Sequence, residues 1–210
     1  MRSYRGYYCG LSIRLREFDS PTSRQVFDVK EFIMENKRVP DAIFKTRARD
    51  VESGEFEWKE LTTSDLFTGK RVVAFSLPGA FTPTCSNFQV PSYQARSMDF
   101  IEAGIDKVYC ISCNDAFVMN AWAQDQRAPN IEFLPDGSCD FTEKMDMLVR
   151  KDNLGFGARS WRYAMVVNDG VIEKMFVEAG MSDNCDSDPY VETNPENVLK
   201  ECHHYLQFLL

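Results

Sequence analysis

Thr82-Pro83-Thr84-Cys85 puts a thiol where a helix would begin. Threonine is a good N-cap, proline is tolerated at the first helical position, and the cysteine then falls in the first turn. A sulfur there faces unpaired backbone N–H groups and the positive end of the helix dipole, which favour thiolate over thiol. Thiolate is the nucleophilic form, so this spacing suits attack by sulfur on an electrophile. Free cysteine is also among the most buried residue types, and an inert core thiol is the bland alternative; the cap and the proline argue against it here. The other reactive residues offer less. Cys110-Ile111-Ser112-Cys113 has C-x-x-C spacing, but Cys110 falls inside an apolar run instead of at a helix start, so a core residue followed by a strand-end thiol is expected. Cys9 and Cys139 have no partner that spacing identifies. The two histidines, His203 and His204, are adjacent on the last helix and expected to face solvent, which supplies neither four metal ligands nor a Cys-His protease pair.

The elements around Cys85 follow from periodicity. Glu55 to Glu60 alternates polar and aromatic residues as a half-exposed strand does, and the hydroxyls of Thr62-Thr63-Ser64 suit the cap of a short helix. A buried strand starts at Arg71 and leads into Pro78-Gly79-Ala80-Phe81, so Cys85 lies beyond the carboxyl end of that strand, where open α/β sheets hold ligands. Residues 83 to 104 read as helix with a kink at Pro91, and 106 to 112 as a second apolar strand, which implies a parallel crossover. Asn114 is the expected cap of an amphipathic helix whose face is Phe117, Val118, Ala121 and Trp122. Two strands around Asn168-Asp169-Gly170 form a hairpin, and Pro195 opens a final helix with the stripe Val198, Leu199, Cys202, Tyr205 and Leu206. The order is βαβα followed by ββα, an α/β class with one antiparallel pair.

At 210 residues the chain is expected to form one domain, over residues 34–210, preceded by an extension over residues 1–33 that is expected to be mobile. That extension is arginine-rich without a secretory apolar core, and suits an organelle-type presequence, an upstream-start extension or an ordinary arm alike. A hydrophobic share of 44% and a charged share of 27% fit a soluble globular protein. The net charge of −8 argues against nucleic acid or an anionic membrane as the main partner. Seven irregularly spaced cysteines are a poor disulfide framework and read as an intracellular, cytoplasmic protein with reactive thiols.

Residues 78 to 86, Pro-Gly-Ala-Phe-Thr-Pro-Thr-Cys-Ser, resemble the active-site signature of the peroxiredoxins, and the Gly-Ala-Phe filling points to their type-five class. Residues 112–122 and 159–178 are also similar to that class, so the likeness runs through roughly residues 37 to 180 in three blocks. The resemblance implies a thioredoxin-like fold, with a central mixed sheet flanked by helices, and a thiol peroxidase acting on hydrogen peroxide and alkyl hydroperoxides. It assigns the nucleophile to Cys85 and the anion-stabilising guanidinium to Arg162. Thr82 would hydrogen-bond the thiolate or the peroxide, Pro78 would shield the sulfur from water, and Arg159 would support Arg162 or remain a solvated charge. Many members carry histidine four residues after the cysteine; here that residue is Gln89, which keeps a hydrogen bond but does not titrate.

The sulfenic acid so formed needs a reductant and no bound cofactor. Cys185 is the internal candidate for a resolving thiol, though its acidic neighbours are expected to raise its pKa and slow it. The wording of the blocks is similar to the bacterial branch that uses one cysteine and takes electrons from glutathione and glutaredoxin, which is favoured over thioredoxin. Asp115-Ala116-Phe117 and the Phe81 turn are similar to segments that form a homodimer contact in the class. Two rival readings are a general thiol-disulfide oxidoreductase using Cys110 and Cys113, and a redox sensor or holdase acting through oxidised Cys85.

Overall fold

The computed structural model of the chain describes residues 34–49 and 52–208, with side chains up to residue 203 apart from that of Arg49. The expected extension over residues 1–33 lies outside them. Among the described residues, nine strands and six α-helices are arranged around a five-stranded sheet. β1 (Ile43–Arg49) and β2 (Phe56–Thr62) form an antiparallel hairpin. α1 (Thr63–Phe67) follows at once, and its cap is the expected hydroxyl: Thr62 Oγ1 accepts from Asp65 N while the Asp65 carboxylate accepts from Thr62 N.

The main sheet comprises β3 (Arg71–Leu77), β4 (Lys107–Ser112), β5 (Ile131–Pro135), β8 (Tyr163–Asn168) and β9 (Val171–Val177). Its order is β5-β4-β3-β8-β9. β3 pairs parallel with β4 and antiparallel with β8, so the sheet is mixed. β3 is buried on both faces, which is why its sequence is nearly all apolar: Val72 and Ala74 join one core with Phe67, Phe141, Met165 and Trp161, while Val73, Phe75 and Leu77 join another with Tyr93, Trp122, Val166 and Val198. α1 and α5 (Asp140–Lys144) cover the first face. α2 (Val90–Ala95), α3 (Ser97–Glu102), α4 (Ala116–Gln126) and α6 (Pro195–Phe208) cover the second. This is the thioredoxin-like architecture expected. A short antiparallel pair, β6 (Leu148–Arg150) with β7 (Ala158–Ser160), lies apart from the main sheet.

The β8–β9 hairpin turns on Asp169 and Gly170 with φ of 47° and 77°, the left-handed pair that a two-residue type I′ turn requires. Two expectations about α4 are corrected. Its cap is Asp115, whose Oδ1 accepts from Phe117 N and Val118 N. Asn114 is committed elsewhere, because its Oδ1 accepts from Ala80 N and from the Ser112 hydroxyl. With the start set at Asp115, the buried stripe is Ala116, Met119 and Trp122, and Phe117 is turned outward. On α6 Val198, Leu199 and Cys202 are buried and His203 is exposed; the side chains of His204, Tyr205 and Leu206 lie outside the described set.

Candidate active site

Pro78 leaves β3 into a turn that contains a non-glycine residue in the left-handed region, Phe81 at φ 60°. The turn is pinned on both sides. Asn114 accepts from Ala80 N at 2.9 Å, and the Thr82 hydroxyl donates to Gly79 O at 2.8 Å. Thr82 carries the first helical acceptor as expected, since its carbonyl receives Ser86 N at 2.9 Å. Its hydroxyl closes the turn instead of capping the helix or touching the sulfur.

Helix does start at Pro83, but from Cys85 to Gln89 it widens into a π-turn closed by Val90 N on Cys85 O. Pro91 follows directly and has no N–H to give to an α-helical partner, so the irregularity sits one residue before the expected kink. Cys85 and Gln89, four apart in a winding of more than four residues per turn, both face inward and are fully buried. Trp122 closes the outer side of the turn by donating from Nε1 to Ser86 Oγ at 3.0 Å.

Arg162 meets them from 77 residues away. It immediately precedes β8, and because β8 runs antiparallel to β3 with Tyr163 opposite Ser76, the start of β8 lies beside the end of β3. Its side chain is 1% exposed. Nη1 donates to Cys85 Sγ at 3.6 Å and also to Gln89 Oε1; Nη2 donates to Asp188 Oδ1 at 2.5 Å. Burial works against the guanidinium charge, but the Cys85 sulfur and the Asp188 carboxylate outweigh it and hold its pKa above the ordinary range. Arg162 Nε and Gln89 Nε2 are buried donors with no acceptor among the described residues, both beside the sulfur's own ligand. Such donors suit a small solute with acceptor oxygens.

The remaining candidates are placed differently from expectation. Arg159, on β7, does not reach Arg162: its Nη1 donates to Cys113 O at 2.6 Å and its Nε flanks Gly79. Cys185 is partly buried against the core on the far face of the sheet, whereas Cys85 belongs to the near one. Its thiol is also shifted the other way from the sequence expectation. Burial raises it, but hydrogen bonds from Ser187 and Ser182 and the charge of Lys151 outweigh that and leave it below the ordinary thiol range. Cys110 is buried inside β4 and its thiol is pushed up by burial, as an inert core residue.

Sequence reasoning missed Asp188 and Tyr190. They lie on the polar connection between β9 and α6, which folds back as a strap over the site. The strap is tied down by the buried Glu178 carboxylate, which accepts from Val191 N, Thr193 N and the Thr193 hydroxyl, and by a 2.5 Å hydrogen bond between Tyr190 Oη and Ser92 Oγ. The Tyr190 ring also stands 5.8 Å from the Arg162 guanidinium carbon. The Asp-Pro-Tyr sequence was the available signal for a bend, but nothing local tells that it bends onto an arginine.

Comparison with known proteins agrees with this geometry. The redoxin family model matches residues 35–191. A peroxiredoxin of Rhizobium etli is 56% identical over 167 residues, covering 78% of this chain and 93% of that protein. The hybrid peroxiredoxin hyPrx5 of Haemophilus influenzae is 48% identical over 167 residues, covering 80% of this chain and 65% of that protein. The crystal structure of a Plasmodium falciparum antioxidant protein, a 1-Cys peroxiredoxin, superposes with a TM-score of 0.76 at 34% identity over 83% of this chain and 99% of that one. With a buried cysteine at the head of a helix, a guanidinium donating to its sulfur, and likeness over most of its length to these proteins, the chain belongs to the peroxiredoxins, the family of thiol peroxidases.

Proposed function

We propose that Cys85 is the peroxidatic cysteine of a type-five peroxiredoxin that reduces hydrogen peroxide and alkyl hydroperoxides. The observation that carries this is the Arg162 Nη1 donor 3.6 Å from Cys85 Sγ in a site closed to water. The thiolate attacks one peroxide oxygen in line; the S–O bond forms as the O–O bond breaks, and the electron pair leaves on hydroxide or alkoxide. Arg162 receives that charge, and its free Nε together with Gln89 Nε2 supplies donors for the peroxide oxygens. Pro78 and the turn fixed by Thr82 keep the sulfur dry. Gln89 serves here as a neutral positioning group on Arg162, the place that histidine takes in many relatives.

Glutathione then converts the sulfenic acid to a mixed disulfide with release of water, and glutaredoxin removes the glutathione. We favour this one-cysteine cycle because Cys185 packs against the opposite core. The lowered Cys185 thiol supports a second reading, with Cys185 as resolving residue and thioredoxin as donor. We further infer a cytoplasmic homodimer; the exposed Phe81 and Phe117 rings suit its contact. NADPH-coupled peroxide turnover decides among these. With glutathione, glutathione reductase and glutaredoxin, turnover is expected for the native chain and for Cys185→Ser, lost in Cys85→Ser and strongly reduced in Arg162→Ala. Turnover only with thioredoxin, and lost in Cys185→Ser, would favour the second reading. A native chain that reacts with peroxide no faster than free cysteine would refute both.

A further inference from the structure

β2 presents an open edge with both of its faces in solvent. Among the described residues it pairs only with β1, and every residue from Phe56 to Glu60 is exposed, Trp58 to 63%. Its register with β1 runs unbroken from Thr62 to Phe56, so no bulge blunts the edge. A seven-residue edge of this kind is a template for another strand, and proteins usually shorten, bulge or cover one. The aromatic rings on it are held in place. Arg47, opposite Trp58 on β1, sets its guanidinium carbon 5.2 Å from the Phe56 ring, 5.8 Å from Trp58 and 4.8 Å from Phe117 of α4. Trp58 and Phe117 meet edge to face at 5.7 Å, so the β2 edge is continuous with the Phe117 ring already assigned to a homodimer contact.

The charges on β2 select its partner. When a strand pairs antiparallel with its own copy about a two-fold axis, residues directly opposite share one hydrogen-bonding orientation, so the axis passes through a residue. With the axis at Phe56, Glu55 and Glu57 carboxylates are opposed; at Glu57, Lys59 or Glu60 the axial residue meets its own like charge. Trp58 is the one axis in the exposed run that opposes no like charges. Glu57 then faces Lys59 on both sides of the axis, and Trp58 faces Trp58. Glu60 is already paired with Lys45 across the hairpin at 3.2 Å, whereas Glu57 and Lys59 have no ion-pair partner among the described residues. Lysine on an edge discourages indiscriminate pairing, and here its complement lies in the same strand.

We propose that two copies of the chain pair antiparallel through β2 with the two-fold axis at Trp58, giving a continuous sheet in the order β1-β2-β2-β1 flanked by a seam of Trp58 and Phe117 rings. The proposal rests on the homodimer reading above and names the backbone edge through which it forms. Main-chain hydrogen bonds along the edge supply affinity, and the alternation of Glu57, Trp58 and Lys59 fixes the register.

The test uses the full chain in two ways. In a Cys85→Ser background, Trp58→Cys oxidised with copper phenanthroline should give a covalent dimer whose mass-mapped disulfide joins position 58 of one protomer to position 58 of its partner. Phe56→Cys should not, because the two copies of that residue would stand four residues apart along the edge, about 13 Å, beyond disulfide reach. In the otherwise native chain, sedimentation equilibrium should show a dimer. Glu57→Lys alone or Lys59→Glu alone, each counted twice by symmetry, should weaken it about tenfold or more, and the two together should restore it. A native dimer that gives no cross-link at position 58, or that the paired reversal fails to restore, overturns the proposal and leaves the homodimer reading standing. A monomeric native chain overturns both.

Discussion

Replacing Arg162 by lysine separates charge from geometry at the site. The guanidinium serves three partners from two nitrogens, with Nη1 shared by Cys85 Sγ and Gln89 Oε1 and Nη2 on Asp188. An ammonium keeps the charge but gathers its donors at one shorter point, and it cannot span all three. Asp188 is 44% exposed and turns to water at little cost, so that loss counts for little. Gln89 Oε1 is fully buried, and leaving such an acceptor unmet costs roughly 1–3 kcal/mol, which draws the ammonium toward Gln89 and away from the sulfur. The transition state then lacks at least one oriented donor at the leaving oxygen, a loss of about 2.7–4 kcal/mol, or about 10²–10³ in rate. Stopped-flow measurement of the second-order rate with hydrogen peroxide should show that fall. Alkylation of Cys85 by iodoacetamide, which breaks no O–O bond, should fall by less than about tenfold. A peroxide rate within about threefold of the native value would refute the reasoning, because charge alone would then suffice. Equal losses in both reactions would refute it differently, by placing the effect of Arg162 on the sulfur instead of the departing oxygen.

Asp188→Asn keeps an acceptor for Nη2 and removes the carboxylate; a half-exposed charge-assisted bond is worth about 0.5–1.5 kcal/mol, so the peroxide rate should fall roughly 2- to 10-fold with the melting temperature nearly unchanged. Gly170→Ala puts a Cβ at φ 77° in the β8–β9 turn and should cost at least about 1 kcal/mol, read from urea unfolding; equal stability would mean that the turn relaxes. Cys185, held below the ordinary thiol range, should be alkylated with a pH midpoint under the roughly 8.5 of a free cysteine, and Ser187→Ala should move the midpoint upward. A midpoint above that of the free thiol would restore the expectation drawn from its acidic neighbours.

Local pattern and distant contact divide what the sequence makes legible. The doubly buried run of β3, the Asp169-Gly170 turn and the Thr62 cap each follow from a few adjacent residues, because steric preference or a hydrogen bond within one turn decides them. The Thr82-Pro83-Cys85 helix start was legible for the same reason. The misread Asn114 cap shows the limit: Asn and Asp are nearly equal caps, and the choice fell to Asp115 because Ala80 N and the Ser112 hydroxyl claim the Asn114 oxygen. One of those donors is 34 residues away, and no window of neighbouring sequence contains it. The strap is the extreme case. Residues 179–194 have no periodicity, so their path is decided by single anchors: Glu178 to Thr193, Tyr190 to Ser92, and Asp188 to Arg162. Two of the three join groups 98 and 26 residues apart. The guanidinium whose donors the peroxide chemistry needs is thus oriented partly by a segment that composition alone would class as a solvated loop. A loop that looks dispensable by sequence can in this way complete an active site, because a buried charge takes its counter-ion from whichever segment the fold carries past it.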